Sequence, residues 1–377
     1  QELQLSVIDN GSTIDWLVGA YYFEERGDNV EAADIASAVF DVTTDPALAF
    51  SLLGDIEVHN TSAAFFGHAR IPVANKLKLG LGARFTHERK RANVQFFASD
   101  IGAPLIGDPQ ASLSYEDFSP RLSAQYQFDV DRILYLSISK GFKSGGFTGR
   151  YVTPTPNLRP FGRESLVAYE LGFKSFFLEK KLKANVAGFV SNYDDVQILI
   201  FDGLAPQTRN AGEGEIKGVE IEAGWLVNPN LQILSYLSYV DAQYTSLNNA
   251  VALELFESLQ IQDEFVNTPK WSFGASFDFR APIAEQFQLQ VFLNVDYRDE
   301  IANDAINTPE LIQKARTIIN GRLSFQHAAG IEISAYGKNI SDETVIVSGA
   351  ADIPTFGGVE AIYAPPREVG IEVNYTF

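Results

Sequence analysis

The residues that could do chemistry in this chain do not form the patterns that catalysis needs. Four histidines are scattered along the sequence, at His59, His68, His87 and His327, and there is no cysteine. The segment 141–145 reads Gly-Phe-Lys-Ser-Gly, which puts Lys143 where the nucleophile elbow Gly-x-Ser-x-Gly needs its serine. No phosphate-binding glycine loop and no His-Glu-x-x-His motif occurs. The sequence therefore predicts no enzymatic activity, no metal site and no cofactor.

Composition excludes further classes of protein. The 377 residues carry a formal net charge of −19, with 48 acidic against 29 basic side chains. Nucleic acid is an unsuitable partner for such a chain, because the phosphate backbone requires a basic face. The longest apolar runs fall short of the roughly 20 residues that a membrane helix needs. The sequence starts at Gln1 and lacks methionine, so we expect a processed chain or a fragment.

The dominant pattern is a period of two. From residue 287 to 298, Phe, Leu, Val, Leu, Val and Tyr alternate with mostly polar residues, with Phe292 as the exception. Successive side chains of a strand face opposite sides, so such a segment has one apolar and one polar face. About fifteen segments have this character: 1–8, 12–25, 58–73, 76–97, 114–128, 131–143, 163–178, 181–198, 208–227, 230–243, 267–281, 286–299, 314–326, 330–339 and 366–377. Many exceed the roughly 9–11 residues that a tilted strand needs to cross a bilayer.

The connections between these segments alternate in length. Every second one is a tight turn of turn-forming residues, at 9–11, 74–75, 129–131, 179–180, 228–230, 284–285 and 328–330. Most of the others are long: 26–57, 98–113, 144–162, 199–207, 244–266, 300–313 and 340–365. Short periplasmic turns and long extracellular loops are typical of outer-membrane barrels. The fold predicted is an all-β, transmembrane, antiparallel up-and-down β-barrel in the bacterial outer membrane.

Several segments resemble motifs of the TonB-dependent outer-membrane receptor family. Residues 139–147 read SKGFKSGGF, 164–175 read ESLVAYELGFKS, 210–212 read NAG, 267–271 read NTPKW and 337–343 read GKNISDE. Each of these is similar to a stretch of the family's barrel, and together they occur in the family's order. The resemblance implies a barrel of twenty-two strands around an N-terminal plug. On that basis residues 1–377 are the C-terminal part of one receptor barrel, with about fifteen strands, and the plug and first strands are missing.

The resemblance also implies a function. A receptor of this family binds a scarce extracellular ligand and imports it with energy from TonB. An iron–siderophore complex is the expected ligand, although cobalamin, haem and glycans use the same architecture. The alternative is a passive, porin-like diffusion channel without a plug, which these residues alone do not exclude. An outer-membrane hydrolase is disfavoured, because the nucleophile patterns are missing.

Binding residues concentrate on loops that a rigid scaffold positions. The candidate ligand-binding residues are therefore aromatic and basic side chains in or next to the long connections: Phe147, Arg150, Tyr151, Arg159 and Arg209. Phe377 ends the chain in the outward-facing register and resembles the signal that the barrel-assembly machinery reads. The other expected partners are outer-membrane lipid, lipopolysaccharide, TonB and a small extracellular ligand, and the expected oligomeric state is a monomer. Charges of both signs on the polar face, such as Glu220, Arg322 and Glu332, are expected to pair across strands.

Overall fold

The structure is a computed structural model that describes residues 1–7, 14–35, 50–98, 102–151, 154–202, 205–248, 259–261, 263–352 and 358–376. Strands dominate these residues. In chain order they are β1 (Glu2–Val7), β2 (Asp15–Ile35), β3 (Phe50–Ala74), β4 (Leu77–Ala98), β5 (Ala103–Pro104), β6 (Ile106–Asp108), β7 (Gln110–Gln127), β8 (Arg132–Lys143), β9 (Gly146–Phe147), β10 (Thr155–Asn157), β11 (Pro160–Phe161), β12 (Glu164–Phe177), β13 (Leu182–Asp194), β14 (Gln197–Asp202), β15 (Ala205–Asn210), β16 (Gly212–Asn228), β17 (Leu231–Leu247), β18 (Trp271–Ala284), β19 (Phe287–Arg298), β20 (Ile301–Ala302), β21 (Ile312–Gln313), β22 (Arg316–His327), β23 (Ile331–Lys338), β24 (Ile346–Asp352), β25 (Gly358–Tyr363) and β26 (Glu368–Tyr375).

Fifteen long strands form one continuous antiparallel wall. Its order is β1-β2-β3-β4-β7-β8-β12-β13-β16-β17-β18-β19-β22-β23-β26, so each strand pairs with the next long strand along the chain. This is the up-and-down topology of about fifteen strands that the alternating pattern predicts. Within the described residues the helical structure is a single 3-10 turn, Pro309–Leu311. No helix among them is both long enough and apolar enough to cross a membrane.

The register gives the wall two chemically different faces. Val219, Tyr239 and Trp271 lie opposite one another on β16, β17 and β18. The rings of Tyr239 and Trp271 are 4.7 Å apart between centroids. The neighbouring row, Glu220 and Ser238, points to the other side. One face of the wall is therefore apolar and exposed, as a lipid-facing surface requires, and the other is polar.

On the polar face, tyrosines lie against glycines of the adjacent strand. Tyr135 is directly opposite Gly172, and Tyr236 is directly opposite Gly274. A Cβ atom added to either glycine would come within 2.3 Å or 2.5 Å of the ring. The Tyr135 hydroxyl donates a hydrogen bond of 2.5 Å to Glu170. Each glycine thus makes room for a flat ring on the polar face.

The expected pairing of charges across strands is confirmed for Arg322. Its guanidinium lies 3.0 Å from Glu332 on β23 and 2.9 Å from Glu372 on β26. Three strands are thereby linked on the polar face. A planar guanidinium suits this role, because it can donate to two carboxylates at once.

Six of the seven predicted tight turns are present between consecutive wall strands, while the turn at 9–11 lies outside the described residues. Several predicted strand limits were wrong. β2 continues to Ile35 and β3 already begins at Phe50, although 26–57 was expected to be a loop. Beyond the bilayer both faces meet water, so apolar alternation stops while backbone pairing continues. The segments 181–198 and 208–227 each break into two strands, at Asp195 (φ 57°) and at Gly212 (φ 145°).

Candidate functional site

The long connections are folded at their end of the wall. β14–β15 and β24–β25 are antiparallel hairpins within connections that were expected to be loops. Two clusters of buried apolar side chains support this end. The 196–305 cluster consists of Val196, Ile198, Ile200, Ala211, Tyr244, Leu259 and Ala305. The 52–158 cluster consists of Leu52, Ala92, Val94, Phe96, Leu105, Ile106, Tyr151 and Leu158.

One predicted ligand residue belongs to the 52–158 cluster and a second packs against it. Tyr151 is only 2% exposed, and its ring centroid is 6.4 Å from that of Phe96. Its hydroxyl accepts a 2.7 Å hydrogen bond from the backbone N–H of Arg159. Burial raises the pKa of the Tyr151 phenol above its ordinary value. Phe147 packs against the same cluster and is partly buried. Both rings are thus placed by the packing of this cluster.

Two predicted arginines meet at one amide. Arg159 Nη1 donates to Gln207 Oε1 at 3.2 Å, and Arg209 Nη2 donates to the same oxygen. Gln207 is itself 4% exposed. Arg159 precedes β11 and Arg209 lies on β15, so the two residues are 50 positions apart in the sequence. Both guanidinium groups therefore lie within hydrogen-bond distance of one buried acceptor.

Arg150 is tied to a different element. Its guanidinium lies 3.0 Å from Glu31 Oε2, and its Nε atom donates to Glu31 Oε1 at 3.1 Å. Glu31 belongs to the far end of β2. The Arg150 side chain remains 56% exposed. The structure therefore brings Phe147, Tyr151, Arg159 and Arg209 into one connected region, with Arg150 joined to the neighbouring hairpin.

Asn210, in the 210–212 motif, holds the end of the connection that precedes β12. Its Oδ1 accepts a 2.6 Å hydrogen bond from the Gly162 N–H, and its Nδ2 donates to Gly162 O at 3.1 Å and Asp195 O at 2.9 Å. Gln197 adds bonds from its Nε2 to Ser144 O and Gly162 O. The next residues, Ala211 and Gly212, have no room for a larger side chain: Ala211 is 0% exposed, and a Cβ on Gly212 would lie 2.2 Å from Ser246 O. The 139–147 and 210–212 motifs therefore position the loop that carries Arg159.

The sequence pattern did not single out one notable residue at this end, Arg316. Arg316 begins β22 directly opposite Arg298 on β19, and it is 9% exposed. Its Nη1 atom is buried without a hydrogen-bond partner. Arg298 instead pairs with Asp296, at 3.2 Å. Like charges opposite one another on a sheet are unfavourable. The signal available in the sequence was an arginine in a polar-face register, which by itself does not reveal burial.

Metal sites and cavities are two other kinds of candidate site among the described residues. Within the described ranges, no cluster of three or more His, Asp or Glu side chains could hold a metal ion. The polar face carries a cavity of about 280 Å³ that includes Glu222, Tyr236 and Asn294 in its lining. Phe377, the expected assembly signal, lies outside the described residues.

We call the long-loop end of the wall, with its two buried clusters, the mouth. The wall and the mouth together define a class of protein. A family model described as "TonB dependent receptor-like, beta-barrel" matches residues 3–340. The chain belongs to this family. Its members are outer-membrane β-barrel receptors that act in transport and are not enzymes, which confirms the expected fold, location and lack of enzymatic activity.

Curated relatives align with part of the chain. The pesticin receptor of Yersinia pestis is 26% identical over 231 residues, which are 61% of this chain and 31% of that protein. The ferric-pyoverdine 358 receptor of Pseudomonas putida is 24% identical over 267 residues, which are 65% of this chain and 30% of that protein. The aligned regions thus cover about a third of the length of these relatives.

Solved structures share the fold. The ferric yersiniabactin uptake receptor FyuA of Yersinia pestis has a TM-score of 0.82 at 20% identity, over 100% of this chain and 53% of that one. The siderophore receptor PiuA of Acinetobacter baumannii has a TM-score of 0.74 at 15% identity, over 99% and 55% of the two chains. The polar face described above therefore lines the lumen of a barrel, and the apolar face meets the lipid.

Proposed function

We propose that this chain is the barrel part of a receptor that binds a ferric siderophore at its long-loop end and imports it with energy from TonB. The carrying observation is the convergence of Arg159 and Arg209 on Gln207 at the mouth of a polar lumen. Guanidinium groups suit ligands with anionic oxygen atoms, because each can donate two parallel hydrogen bonds. Names of relatives support the choice of ligand, since they include ferric-pyoverdine and ferric yersiniabactin receptors.

The five predicted residues have different roles in ligand binding. Arg159 and Arg209 hold the anionic groups of the ligand, with Arg150 at the rim beside Glu31. Tyr151 and Phe147 support them: Tyr151 accepts from the backbone of Arg159, so the position of that arginine depends on the 52–158 cluster. Import is conformational, and it includes a plug and a TonB-contacting segment outside these 377 residues. The expected monomeric state and the recognition of Phe377 by the barrel-assembly machinery remain predictions.

Ligand binding is the direct test. Quenching of intrinsic fluorescence by ferric yersiniabactin and ferric pyoverdine would be measured on the full receptor in detergent. The double variant Arg159→Ala/Arg209→Ala should bind the active complex at least tenfold more weakly, whereas Lys217→Ala on the outer face should bind as the unchanged protein does. Point variants are preferable to deleting 144–162, because that deletion would also remove Tyr151 from its cluster. Failure of both complexes to bind would contradict the proposed ligand class.

Uptake and conductance separate the receptor from the passive channel. Cells that carry the full protein should take up radioactive iron from the bound complex only when TonB is present. The purified protein should stay closed in planar bilayers. Uptake independent of TonB, together with steady open-channel conductance, would favour the porin-like alternative.

A further inference from the structure

On the lipid-facing side, a row of exposed aromatic rings marks the limit of the apolar band toward the long-loop end. Phe65, Phe85 and Phe118 are direct cross-strand partners on β3, β4 and β7. Their side chains are 71%, 46% and 56% exposed. Toward the short turns the outward positions remain apolar, as at Leu81 and Leu122, which are 47% and 48% exposed. Aromatic rings favour the interface between acyl chains and headgroups.

Two arginines project from the same face just beyond this row. Arg89 and Arg91 lie four and six residues past Phe85 on β4, so they share its outward register, and both are exposed. At a rise of about 3.3 Å per residue they stand roughly 13 and 20 Å from Phe85 along the strand. A strand tilt of about 45° reduces this to roughly 9 and 14 Å along the membrane normal. That range is where the headgroups of the outer leaflet lie.

The neighbours of these arginines on the sheet are hydroxyl and imidazole groups. Arg89 lies between Thr61 on β3 and Ser114 on β7, and Arg91 lies between His59 and Ser112. These groups donate or accept hydrogen bonds without adding negative charge. The flanking serines are exposed on the same face. We name Arg89, Arg91, Thr61, Ser112 and Ser114 the outer arginine patch.

Three carboxylates near the outer arginine patch have other polar partners. Glu24 is held by Arg26 and His59, each at 2.9 Å, and Glu116 faces His87 at 3.5 Å. Glu57 accepts a 3.0 Å hydrogen bond from Asn93. In the part of the chain that the structure describes, neither Arg89 nor Arg91 has a carboxylate within ion-pair distance.

An outward-facing cation elsewhere on the wall is neutralised. Lys217 on β16 lies two positions beyond Val219 in the same outward register, and it contacts Glu215 at 3.0 Å and Asp241 at 3.5 Å. The outer arginine patch thus differs from Lys217, in a chain whose net charge is −19. Two unpaired arginines facing headgroups would attract anionic groups in the leaflet.

We propose that the outer arginine patch binds the phosphate groups of lipopolysaccharide in the outer leaflet. The two guanidinium groups donate bidentate hydrogen bonds to phosphate oxygens, and the flanking hydroxyls bond to the same phosphates or to the attached sugars. The Phe65–Phe85–Phe118 row packs against the upper acyl chains. The proposal depends on the outer-membrane location of the family and does not depend on the imported ligand.

Lipopolysaccharide that co-purifies with the full receptor tests this proposal. The receptor and its Arg89→Ala/Arg91→Ala variant would be extracted from outer membranes in mild detergent, and the bound lipid A would be quantified by mass spectrometry. The variant should retain at most a fifth of the lipid A per protein. Lys217→Ala, with a paired cation on the same face, should retain the full amount. Equal lipid A in the double variant and the unchanged protein would overturn the proposal.

Two further arms identify the chemistry that is recognised. Purified lipid A should compete for the site, whereas lipid A without phosphates should compete at least tenfold less well. Inorganic phosphate that displaced lipid A as effectively as phosphorylated lipid A would show a free-phosphate site and would also contradict the proposal. Heat-modifiable migration in gels reports that each variant is folded. Should the double variant fail to fold, the single variants Arg89→Gln and Arg91→Gln decide, and each should lose at least half of the bound lipid A.

Discussion

The two ends of the barrel wall are stabilised by contacts of different sequence range. At the short-turn end, Asp129 pairs with Arg132 three residues away, and the Asn228 side chain accepts from the N–H of Asn230. At the long-loop end, Arg150 reaches Glu31 across 119 positions, and Asn210 reaches Gly162 across 48. Local contacts form as soon as a hairpin closes, whereas the distant contacts require most of the wall to be assembled. The mouth should therefore respond to single substitutions more strongly than the turns do.

The largest effect is expected at Tyr151. Tyr151→Ala removes a buried ring from the 52–158 cluster, and truncation of a buried aromatic side chain typically costs about 3 kcal/mol or more. The loss should be local to the mouth, because the wall strands retain their own pairing. Hydrogen exchange should accelerate across 144–162 while β18 and β19 keep their protection. Tyr151→Phe removes only the acceptor for the Arg159 N–H and should cost about 1 kcal/mol. Unchanged exchange in the alanine variant would show that the cluster does not hold the mouth.

The next effect should have the opposite sign. Arg316 is buried with an unpartnered Nη1 atom and faces Arg298, so Arg316→Met should stabilise the protein by about 2 kcal/mol. Arg322 lies six positions along the same strand and contacts Glu332 and Glu372. Arg322→Met should destabilise the protein by about 1–2 kcal/mol, because two partly exposed carboxylates lose their cation. Urea unfolding of both variants in detergent gives the comparison. Two shifts of the same sign would refute the distinction between these arginines.

A smaller loss is expected at Asn210, which holds the connection before β12. Asn210→Ala removes the hydrogen bonds to Gly162 and Asp195, which should cost about 1–2 kcal/mol. Arg159 and Arg209 would then be held less firmly relative to one another, so ligand affinity should fall even though neither arginine is changed. A matched control is Asn60→Ala, which removes one exposed hydrogen bond to Glu25. Equal effects of the two substitutions on affinity would argue against a positioning role for Asn210.

The range of these contacts also explains what the sequence could predict. Alternation and turn residues are local signals, so the number and order of the wall strands and the position of turns such as 129–131 were predicted. The mouth depends on pairs such as Gln197 with Ser144, 53 positions apart, which no local pattern encodes. Phe147, Tyr151, Arg159 and Arg209 were selected together because they lie in or next to long connections, but the burial of Tyr151 and the sharing of Gln207 follow only from packing. Arg316 was missed for the same reason.

The smallest effect is expected at the short-turn end and depends on pH. Hydrogen bonds from the Arg132 guanidinium hold the pKa of the Asp129 carboxyl below its ordinary value. A carboxyl whose pKa is lower in the folded state stabilises that state above its unfolded pKa, and the stabilisation is lost as pH falls through the folded value. Because the turn is exposed, water screens this pair and the contribution is small. The unfolding midpoint in urea should therefore drop slightly between pH 5 and pH 3, and Asp129→Asn should reduce that drop. The variant should differ most from the unchanged protein at pH 7, where the carboxylate is charged. A larger loss of stability from Asp129→Asn than from Tyr151→Phe at pH 7 would reverse the expected order of the two ends.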